Sequence, residues 1–213
     1  MRLVLASNNQ KKLAELRTLL NGIAVDIVTQ GSLGITEADE PFATFIENGL
    51  AKARHAARAS GGPALADDSG LCVAALGGAP GVVSAHFAEL TVAERAAAGA
   101  DREALRARQD AANNARLLQA LAGQADRRAH FVSTLVALRH ADDPEPLVAV
   151  GRWPGLILAA PRGTGGFGYD PLMRIPDLDA TVAELPAALK NRHSHRARAA
   201  AQMRELLREA WAL

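Results

Sequence analysis

Apolar and polar positions alternate near the start of the chain in a pattern that predicts a strand, a helix and a second strand. Residues 2–6 and 25–29 are short apolar runs typical of buried strands. Between them Leu13, Leu16 and Leu20 recur at helical spacing, and an Asn-Gly stop signal follows. This order predicts the opening of an α/β fold.

The next elements follow from capping and turn signals. Thr44 and Glu47 form a capping box, which predicts a helix running to about Ala59. Residues 64–73, ALADDSGLCV, predict a strand, a turn and a further strand, with Asp67 and Asp68 at the end of the first strand. Because side chains alternate along a strand, the two aspartates are expected to point to different sides, one for structure and one for chemistry.

The second half of the chain predicts one long helical region, a hairpin and a last helix. Residues 88–128 read as helix broken at Gly99 and capped again at Asp101, with no chemistry apparent. Residues 130–140 and 147–158 predict two strands joined by a hairpin loop, so the sheet is expected to be mixed. The last helix is expected to begin at Ser194.

Composition narrows the class of protein without choosing a function. The 213 residues are 49% hydrophobic and 22% charged, with a net charge of +1, which does not favour a duplex nucleic-acid binder. No stretch has the apolar length of a membrane span or signal peptide, so a soluble cytoplasmic protein is expected. The lone Cys72 is interpreted as a buried core residue.

The glycine-rich segment GTGGFGYDP at residues 163–171 matches a dinucleotide fingerprint only superficially. That fingerprint needs a helix opening within it, and the proline at its end disfavours one. The segment is better interpreted as a loop that shapes a pocket. Its rings, Phe167 and Tyr169, would either stack on a planar base or close the edge of the core.

Two donor-rich segments are suited to phosphate. Ser7, Asn8 and Asn9 precede two lysines where a strand gives way to a helix, which is a favourable place for an anion. Residues 186–198 carry four formal positive charges and no acid around the start of the last helix. Cations there oppose the helix dipole, so an anion is expected nearby.

The acidic residues complete a nucleotide site. Asp67 and Asp68, with Glu37, Asp39 and Glu40 upstream, offer the hard oxygen ligands that Mg²⁺ prefers alongside substrate phosphates. Acids for a metal, cations for phosphates and rings for a base together predict a Mg²⁺–nucleotide site.

Six segments in this order resemble the inosine/xanthosine triphosphate pyrophosphatase family. They are SNNQKK, TFIENGLAKA, ADDSGL, LGGAPGVVSA, GTGGFGYDP and SHRA. The resemblance implies Mg²⁺-dependent hydrolysis of deaminated purine nucleoside triphosphates (ITP, dITP, XTP) to the monophosphate and pyrophosphate. It also implies one α/β domain over residues 1–213, with an elongated mixed sheet flanked by helices and two lobes with the active-site cleft between them. A homodimer is usual in the family.

The resemblance also assigns roles by position. Glu40 and Asp68 would bind Mg²⁺, and Asp68 would activate the attacking water. Ser7, Asn9 and Lys12 would line the triphosphate site, and Lys190 would meet phosphate. Residues 167–170 would hold the base and sugar, with His195 and Arg196 at the purine. The full set of expected substrate contacts is Ser7, Asn8, Asn9, Lys12, Ser69, Phe167, Gly168, Tyr169, Asp170, Lys190, His195 and Arg196.

Two departures and two alternatives accompany this interpretation. His86 stands where many relatives carry Arg, and Tyr169 where some carry Trp. The septum-inhibition-associated nucleotide pyrophosphatases resemble the same fold, but the SHR and FGYDP segments argue against them. A nucleotide-binding regulator without turnover is the other alternative, and the intact Glu40 and Asp68 argue against it.

Overall fold

The structure is a computed structural model that describes residues 1–97 and 101–213. Its strands are β1 (Arg2–Leu5), β2 (Asp26–Thr29), β3 (Ala64–Val73), β4 (Arg128–Leu138), β5 (Leu147–Ile157), β6 (Met173–Ile175) and β7 (Ala180–Thr181). Its helices are α1 (Gln10–Leu19), α2 (Phe45–Ser60), α3 (Val92–Ala97), α4 (Arg102–Ala120), α5 (Ala187–His193) and α6 (His195–Trp211). No helix in the described ranges has both the length and the apolar character needed to cross a bilayer.

The described strands form one mixed sheet in the order β2-β1-β3-β4-β5-β6-β7. Strand β1 runs parallel to both β2 and β3, whereas β6 is antiparallel to β5 and β7. The link between β4 and β5, residues 139–146, is shorter than the roughly dozen residues that a parallel crossover needs. The mixed α/β sheet and the predicted hairpin are therefore confirmed.

The chain divides into two compact units, each built from separate stretches of sequence. The first comprises Met1–Ser69, Val132–Arg152 and Asn191–Leu213, and the second comprises Gly70–Phe131 and Trp153–Lys190. Strands β3, β4 and β5 each contribute residues to both units. The two units agree with the expectation of two lobes.

Strand pleating sorts the first unit into two apolar layers. On one face Leu3, Leu65 and Leu135 pack with residues of α1 and α6. On the other face Val4, Ala66 and Val136 pack with alanines of α2. Because successive side chains point to opposite faces, the odd-numbered β3 residues of this unit face α1 and α6, and the even-numbered ones face α2.

The first unit also brings the start of α6 close to β5. A Cβ at Gly151 would collide with the carbonyl of His195 and with the Ala199 nitrogen, so only glycine permits this approach. Ser194 caps α6 by accepting a hydrogen bond from the Ala197 amide, as predicted. The fold thus places His195 and Arg196 beside the sheet.

The second unit has a separate core, built from β3, β4, β5, α4 and the segment after the glycine loop. Leu71, Leu117, Phe131, Trp153 and Leu172 are among its buried members. The cap predicted at Asp101 is confirmed, because its carboxylate accepts the amides of Glu103 and Ala104. The predicted break at Gly99 lies outside the described residues.

Four elements differ from the sequence prediction. Residues 64–73 form one continuous strand, so Asp67 and Asp68 lie in its middle and no turn separates two strands. The strand can continue through both aspartates because each carboxylate is paired with a cation, Arg196 for Asp67 and Lys52 for Asp68. The short strands β6 and β7 and helix α5 were not predicted, since three, two and seven residues give too little periodicity.

Candidate active site

Two adjacent carboxylates on β3 point to opposite faces of the sheet. Asp67 has the odd-numbered position and faces α1 and α6, while Asp68 has the even-numbered position and faces α2. Both are buried, with 1% and 4% of their surface exposed. Burial of two neighbouring charges is costly unless each finds partners, and the partners differ sharply between the two faces.

Asp67 is enclosed by hydrogen bonds and ion pairs. Arg196 Nε donates to its Oδ2 over 2.8 Å, and Ser133 Oγ donates to its Oδ1 over 2.9 Å. The Ser69 hydroxyl donates to the same Oδ1. Lys12 Nζ lies 3.4 Å from Oδ2 and also donates to the Asp67 carbonyl.

This environment keeps Asp67 ionised. Burial alone would raise the pKa of its carboxyl, but Arg196, Lys12 and Ser69 hold that pKa well below the usual value. Arg196 is itself buried and forms a second ion pair with Glu15 of α1. Its two carboxylate partners raise the pKa of the guanidinium despite desolvation.

Asp68 is bound on one oxygen only. Lys52 Nζ donates to its Oδ1 over 2.7 Å, whereas its buried Oδ2 has no hydrogen-bond partner among the described residues. Lys52 also donates to Glu40 Oε2 over 2.8 Å, so one ammonium joins both carboxylates. Desolvation raises the pKa of Asp68 to about 6, against the opposing effect of Lys52.

The pKa of the Glu40 carboxyl shifts in the opposite direction to that of Asp68. Partial burial would raise its pKa, but the Lys52 ammonium outweighs this effect and lowers it. The Lys52 pKa is raised, because Asp68 and Glu40 outweigh the desolvation of the ammonium. The first unit therefore holds two carboxylates of unequal basicity around one cation.

One pocket of the first unit is lined by four of these groups, Lys12, Glu40, Lys52 and Asp67. Its walls include Ser7, Lys12, Glu37, Glu40, Lys52 and Asp67. Burial lowers the pKa of Lys12, although Asp67 opposes that shift. Lysines and carboxylates facing one cavity suit a ligand that carries both negative charge and a bound cation.

The polar segment before α1 is fixed by its own hydrogen bonds. Asn9 caps α1, because its Oδ1 accepts the amides of Lys11 and Lys12. Asn8 accepts the Gly31 amide and donates to Glu37. Ser7 Oγ accepts the Asn9 amide and lines the pocket. Of the three, Ser7 is the one that faces the cavity.

The glycine-rich loop gathers the other predicted residues in the second unit. Tyr169 is buried in that unit's core, and its hydroxyl donates to the Ser84 carbonyl over 2.8 Å. The half-buried Phe167 ring lies 4.5 Å below Lys190 Nζ. Asp170 Oδ2 accepts from both Lys190 Nζ and the Phe167 amide.

A glycine is required within that loop. Gly166 has a φ of +74°, and a Cβ there would collide with the Asp170 carboxylate. Only glycine combines that backbone angle with so close an approach. The loop conformation therefore depends on Asp170 as well as on its glycines.

The anion expected near the basic start of α6 is present within the chain. The carboxylates of Asp67 and Glu15 occupy the Arg196 guanidinium, and Asp170 holds Lys190. His195 is buried as the first residue of α6. The substrate roles assigned to these side chains stay predictions.

Sequence reasoning missed Lys52 and Glu15. Lys52 lies on the buried stripe of α2 together with Gly49, Ala53 and Ala56. A cation on a stripe of small buried residues is a signal that it has a buried anionic partner. Glu15 gave no comparable signal, because its partner Arg196 lies 181 residues away in the sequence.

The chemistry of the donors around Lys52 suits a hard divalent cation. No group of three or more potential metal ligands forms among the described His, Cys, Asp and Glu residues. A cation that completes its coordination with substrate phosphates and water needs only one or two carboxylates. Glu40 fits that requirement, and so does Asp68 Oδ2, which has no hydrogen-bond partner within residues 1–97 and 101–213.

The comparisons with known proteins agree on one family. The model of the Ham1 family matches residues 3–206. The chain is 71% identical over 213 residues to a dITP/XTP pyrophosphatase of Leptothrix cholodnii, with 100% of each chain covered. It is 66% identical over 211 residues to a dITP/XTP pyrophosphatase of Methylibium petroleiphilum, with 99% of each covered.

A solved structure has the same fold. The structure of a HAM1 protein from Coxiella burnetii is 40% identical and superposes with a TM-score of 0.83. The match covers 98% of this chain and 99% of that one. The likeness thus extends over the whole sheet and both units.

Proposed function

Because the chain belongs to the Ham1 family, we propose that it hydrolyses deaminated purine nucleoside triphosphates to the monophosphate and pyrophosphate. ITP, dITP and XTP are the proposed substrates, and residues 1–213 act as one functional domain. The main support for this proposal is the environment of Asp68. Asp68 is a buried carboxylate of pKa about 6 with one oxygen on Lys52 and the other without a hydrogen-bond partner among the described residues.

Asp68 acts as the general base in this proposal. Its carboxylate accepts a proton from water, the water oxygen bonds to the α-phosphorus, and the bond from that phosphorus to the bridging oxygen breaks. Pyrophosphate leaves with the bonding electrons. A carboxyl with a pKa of about 6 is mainly ionised at neutral pH yet more basic than an ordinary aspartate.

The cations of the pocket support the negative charge of the substrate. Lys12 and Lys52 line the pocket and would bind phosphoryl oxygens, together with the Ser7 hydroxyl. Glu40 and Asp68 would hold Mg²⁺, which when bound neutralises charge on the phosphate chain. Lys52 would keep its hydrogen bond to Asp68 Oδ1, because the oxygen available to the metal is Oδ2.

The remaining assignments are part of the proposal. Phe167, Gly168, Tyr169 and Asp170 would hold the base and sugar, with Lys190 at phosphate. Asn8, Asn9, Ser69, His195 and Arg196 are retained as proposed substrate contacts. We also propose a homodimer and a cytoplasmic location, and sedimentation velocity tests the first of these.

A product assay with Mg²⁺ tests the function directly. The purified chain is incubated with ITP, XTP, GTP and ATP, and pyrophosphate is separated from orthophosphate. Pyrophosphate from ITP and XTP, with little from GTP or ATP, is the expected result. Orthophosphate as the product would overturn the proposal, because a different bond would be cleaved. No turnover on any of the four would overturn it in favour of a nucleotide-binding regulator. Adding pyrimidine and modified nucleoside triphosphates to the panel tests the other alternative, because a preference for them would favour the septum-inhibition-associated enzymes.

A further inference from the structure

Two side chains of helix α4 hold Gly168 of the glycine-rich loop. Asp110 Oδ2 accepts the Gly168 amide over 2.8 Å, and Asn114 Nδ2 donates to the Gly168 carbonyl over 2.9 Å. Asp110 and Asn114 are one helical turn apart, so both side chains reach the loop from the same face of α4. The backbone of Gly168 is thereby held on its donor and its acceptor at once.

Gly168 lies between the two aromatic residues of the loop. Its φ of +63° places it in the left-handed region, where the chain turns between Phe167 and Tyr169. The Phe167 amide on Asp170 and the Tyr169 hydroxyl on Ser84 also hold this stretch. Loss of the Asp110 and Asn114 side chains would leave the Gly168 amide and carbonyl without these two hydrogen bonds.

The hydrogen bonds to Gly168 and the packing that anchors α4 involve different residues of the helix. Leu117 and Leu121 of this helical region are fully buried in the core of the second unit. Asn113 binds a different segment, donating to the carbonyls of Ser84 and Ala85 and accepting the Ala88 amide. Asp110 and Asn114 can therefore be altered while these other anchors stay in place.

We propose that Asp110 and Asn114 are positioning residues for base recognition, which they serve by fixing Gly168 and hence the Phe167 ring. This inference rests on the proposed function, since it takes residues 167–170 as the part that meets the purine. A hydrogen bond to a carboxylate is roughly twice as strong as one between neutral groups, so Asp110 contributes more than Asn114. A helix without apparent chemistry in its sequence thus acts on specificity through one loop residue.

Steady-state kinetics of matched variants test the proposal. Asp110→Ala is expected to raise KM for ITP about tenfold, and Asn114→Ala about threefold, with kcat changed less than twofold. Asp110→Asn keeps an oxygen that accepts the Gly168 amide but loses the charge, so its KM is expected to lie between those of wild type and Asp110→Ala. Asp101→Ala removes the cap of α4 but leaves Gly168 untouched, which makes it the stability-matched control.

A probe without a base separates positioning from a general loss of structure. Inhibition by inorganic tripolyphosphate at fixed free Mg²⁺ is expected to be the same in all these variants, because it has no purine to position. A rise in KM with an unchanged inhibition constant supports the proposal. An unchanged KM in folded Asp110→Ala, or an equal rise in the Asp101→Ala control, would overturn it.

The two proposals fail in different ways. If wild type releases no pyrophosphate from ITP, the proposed function is wrong and the kinetic test has no substrate. If wild type turns over ITP and the Gly168 variants match it in KM, only the inference about α4 is wrong.

Discussion

Asp67 and Asp68 are neighbours on β3, yet the regions on the two faces of this strand differ in how completely they satisfy a buried charge. On the Asp67 face, Arg196, Ser133, Ser69 and Lys12 occupy both carboxylate oxygens. On the Asp68 face, Lys52 occupies one oxygen and leaves the other without a hydrogen-bond partner among the described residues. The pKa of the first carboxyl falls and that of the second rises.

This difference separates a structural acid from a chemical one. A carboxylate with every lone pair engaged stays ionised and rigid, so it fixes the elements around it but cannot readily accept a proton. A buried carboxylate with a free oxygen and a raised pKa can bind a cation or a water proton.

The variant Asp68→Asn is expected to lower kcat by about 10²–10⁴-fold, which is the usual contribution of a general base. Its free energy of unfolding should stay close to wild type, because the amide oxygen still accepts from Lys52 and a desolvated charge is removed. Turnover of ITP and thermal unfolding are measured on the same sample. Normal turnover in a folded variant would remove Asp68 from its proposed role.

On the Asp67 face, a substitution is expected to lower mainly the free energy of unfolding. Arg196→Ala leaves Asp67 and Glu15 without their buried cation, and breaking such a pair costs about 3–5 kcal/mol of unfolding free energy. Urea denaturation measures this loss. A decrease below about 1 kcal/mol, the usual value for an exposed ion pair, would show that the Asp67 cluster is not the structural centre inferred above.

A test of whether Arg196 discriminates between bases needs a substitution that is less disruptive than Arg196→Ala. Arg196→Lys keeps a positive charge beside Asp67 but loses the planar fork that reaches Asp67 and Glu15 together. If Arg196 also meets the purine, the ratio of kcat/KM for ITP over ATP should fall in a folded Arg196→Lys variant. An unchanged ratio would leave Arg196 a purely structural role.

The alternation of side chains along β3 could be predicted from sequence, but the partners could not. Apolar periodicity together with capping signals predicted α1, α2, α6 and most strands of the first unit, and strand pleating predicted the opposite directions of Asp67 and Asp68. The partner of Asp67 lies 129 residues away on α6, and nothing local in the sequence pairs the two. The basic start of α6 therefore signalled an anion without revealing that the anion belongs to the chain itself.

The same limit applies in the second unit. The glycines of residues 163–168 indicated a loop, whereas the close approach of Gly166 to Asp170 is a tertiary contact. The contacts of Asp110 and Asn114 with Gly168 span 58 and 54 residues. Composition made α4 appear free of chemistry because its role depends on what it touches and not on a motif.

The pH dependence of stability should differ in sign for the two aspartates. The raised pKa of Asp68 means that its contribution to stability is fully present below the ordinary value near 3.8 and is lost as pH rises through about 6. The lowered pKa of Asp67 means that its contribution is present above 3.8 and is lost only as the pH falls through the lowered value.

Urea denaturation of wild type and Asp68→Asn without Mg²⁺, from pH 4 to pH 8, isolates the first effect. Wild type should lose free energy of unfolding relative to the variant as pH rises through about 6, by at most about 1.4 kcal/mol per pH unit. A difference that is constant over this range would contradict the raised pKa of Asp68.

A substitution beside Asp67 that removes a single hydrogen bond is expected to change the free energy of unfolding least. Ser133→Ala removes one of the hydrogen bonds to Asp67 Oδ1 and should lower the free energy of unfolding by about 1 kcal/mol. Arg196, Lys12 and Ser69 still hold the carboxylate, so kcat for ITP should stay within twofold of wild type. Stability would then change without turnover on one face of β3, and turnover without stability on the other. A loss of turnover in Ser133→Ala comparable to that of Asp68→Asn would instead mean that the hydrogen bonds of Asp67 set the reactivity of its neighbour, and that the two faces act as one catalytic unit.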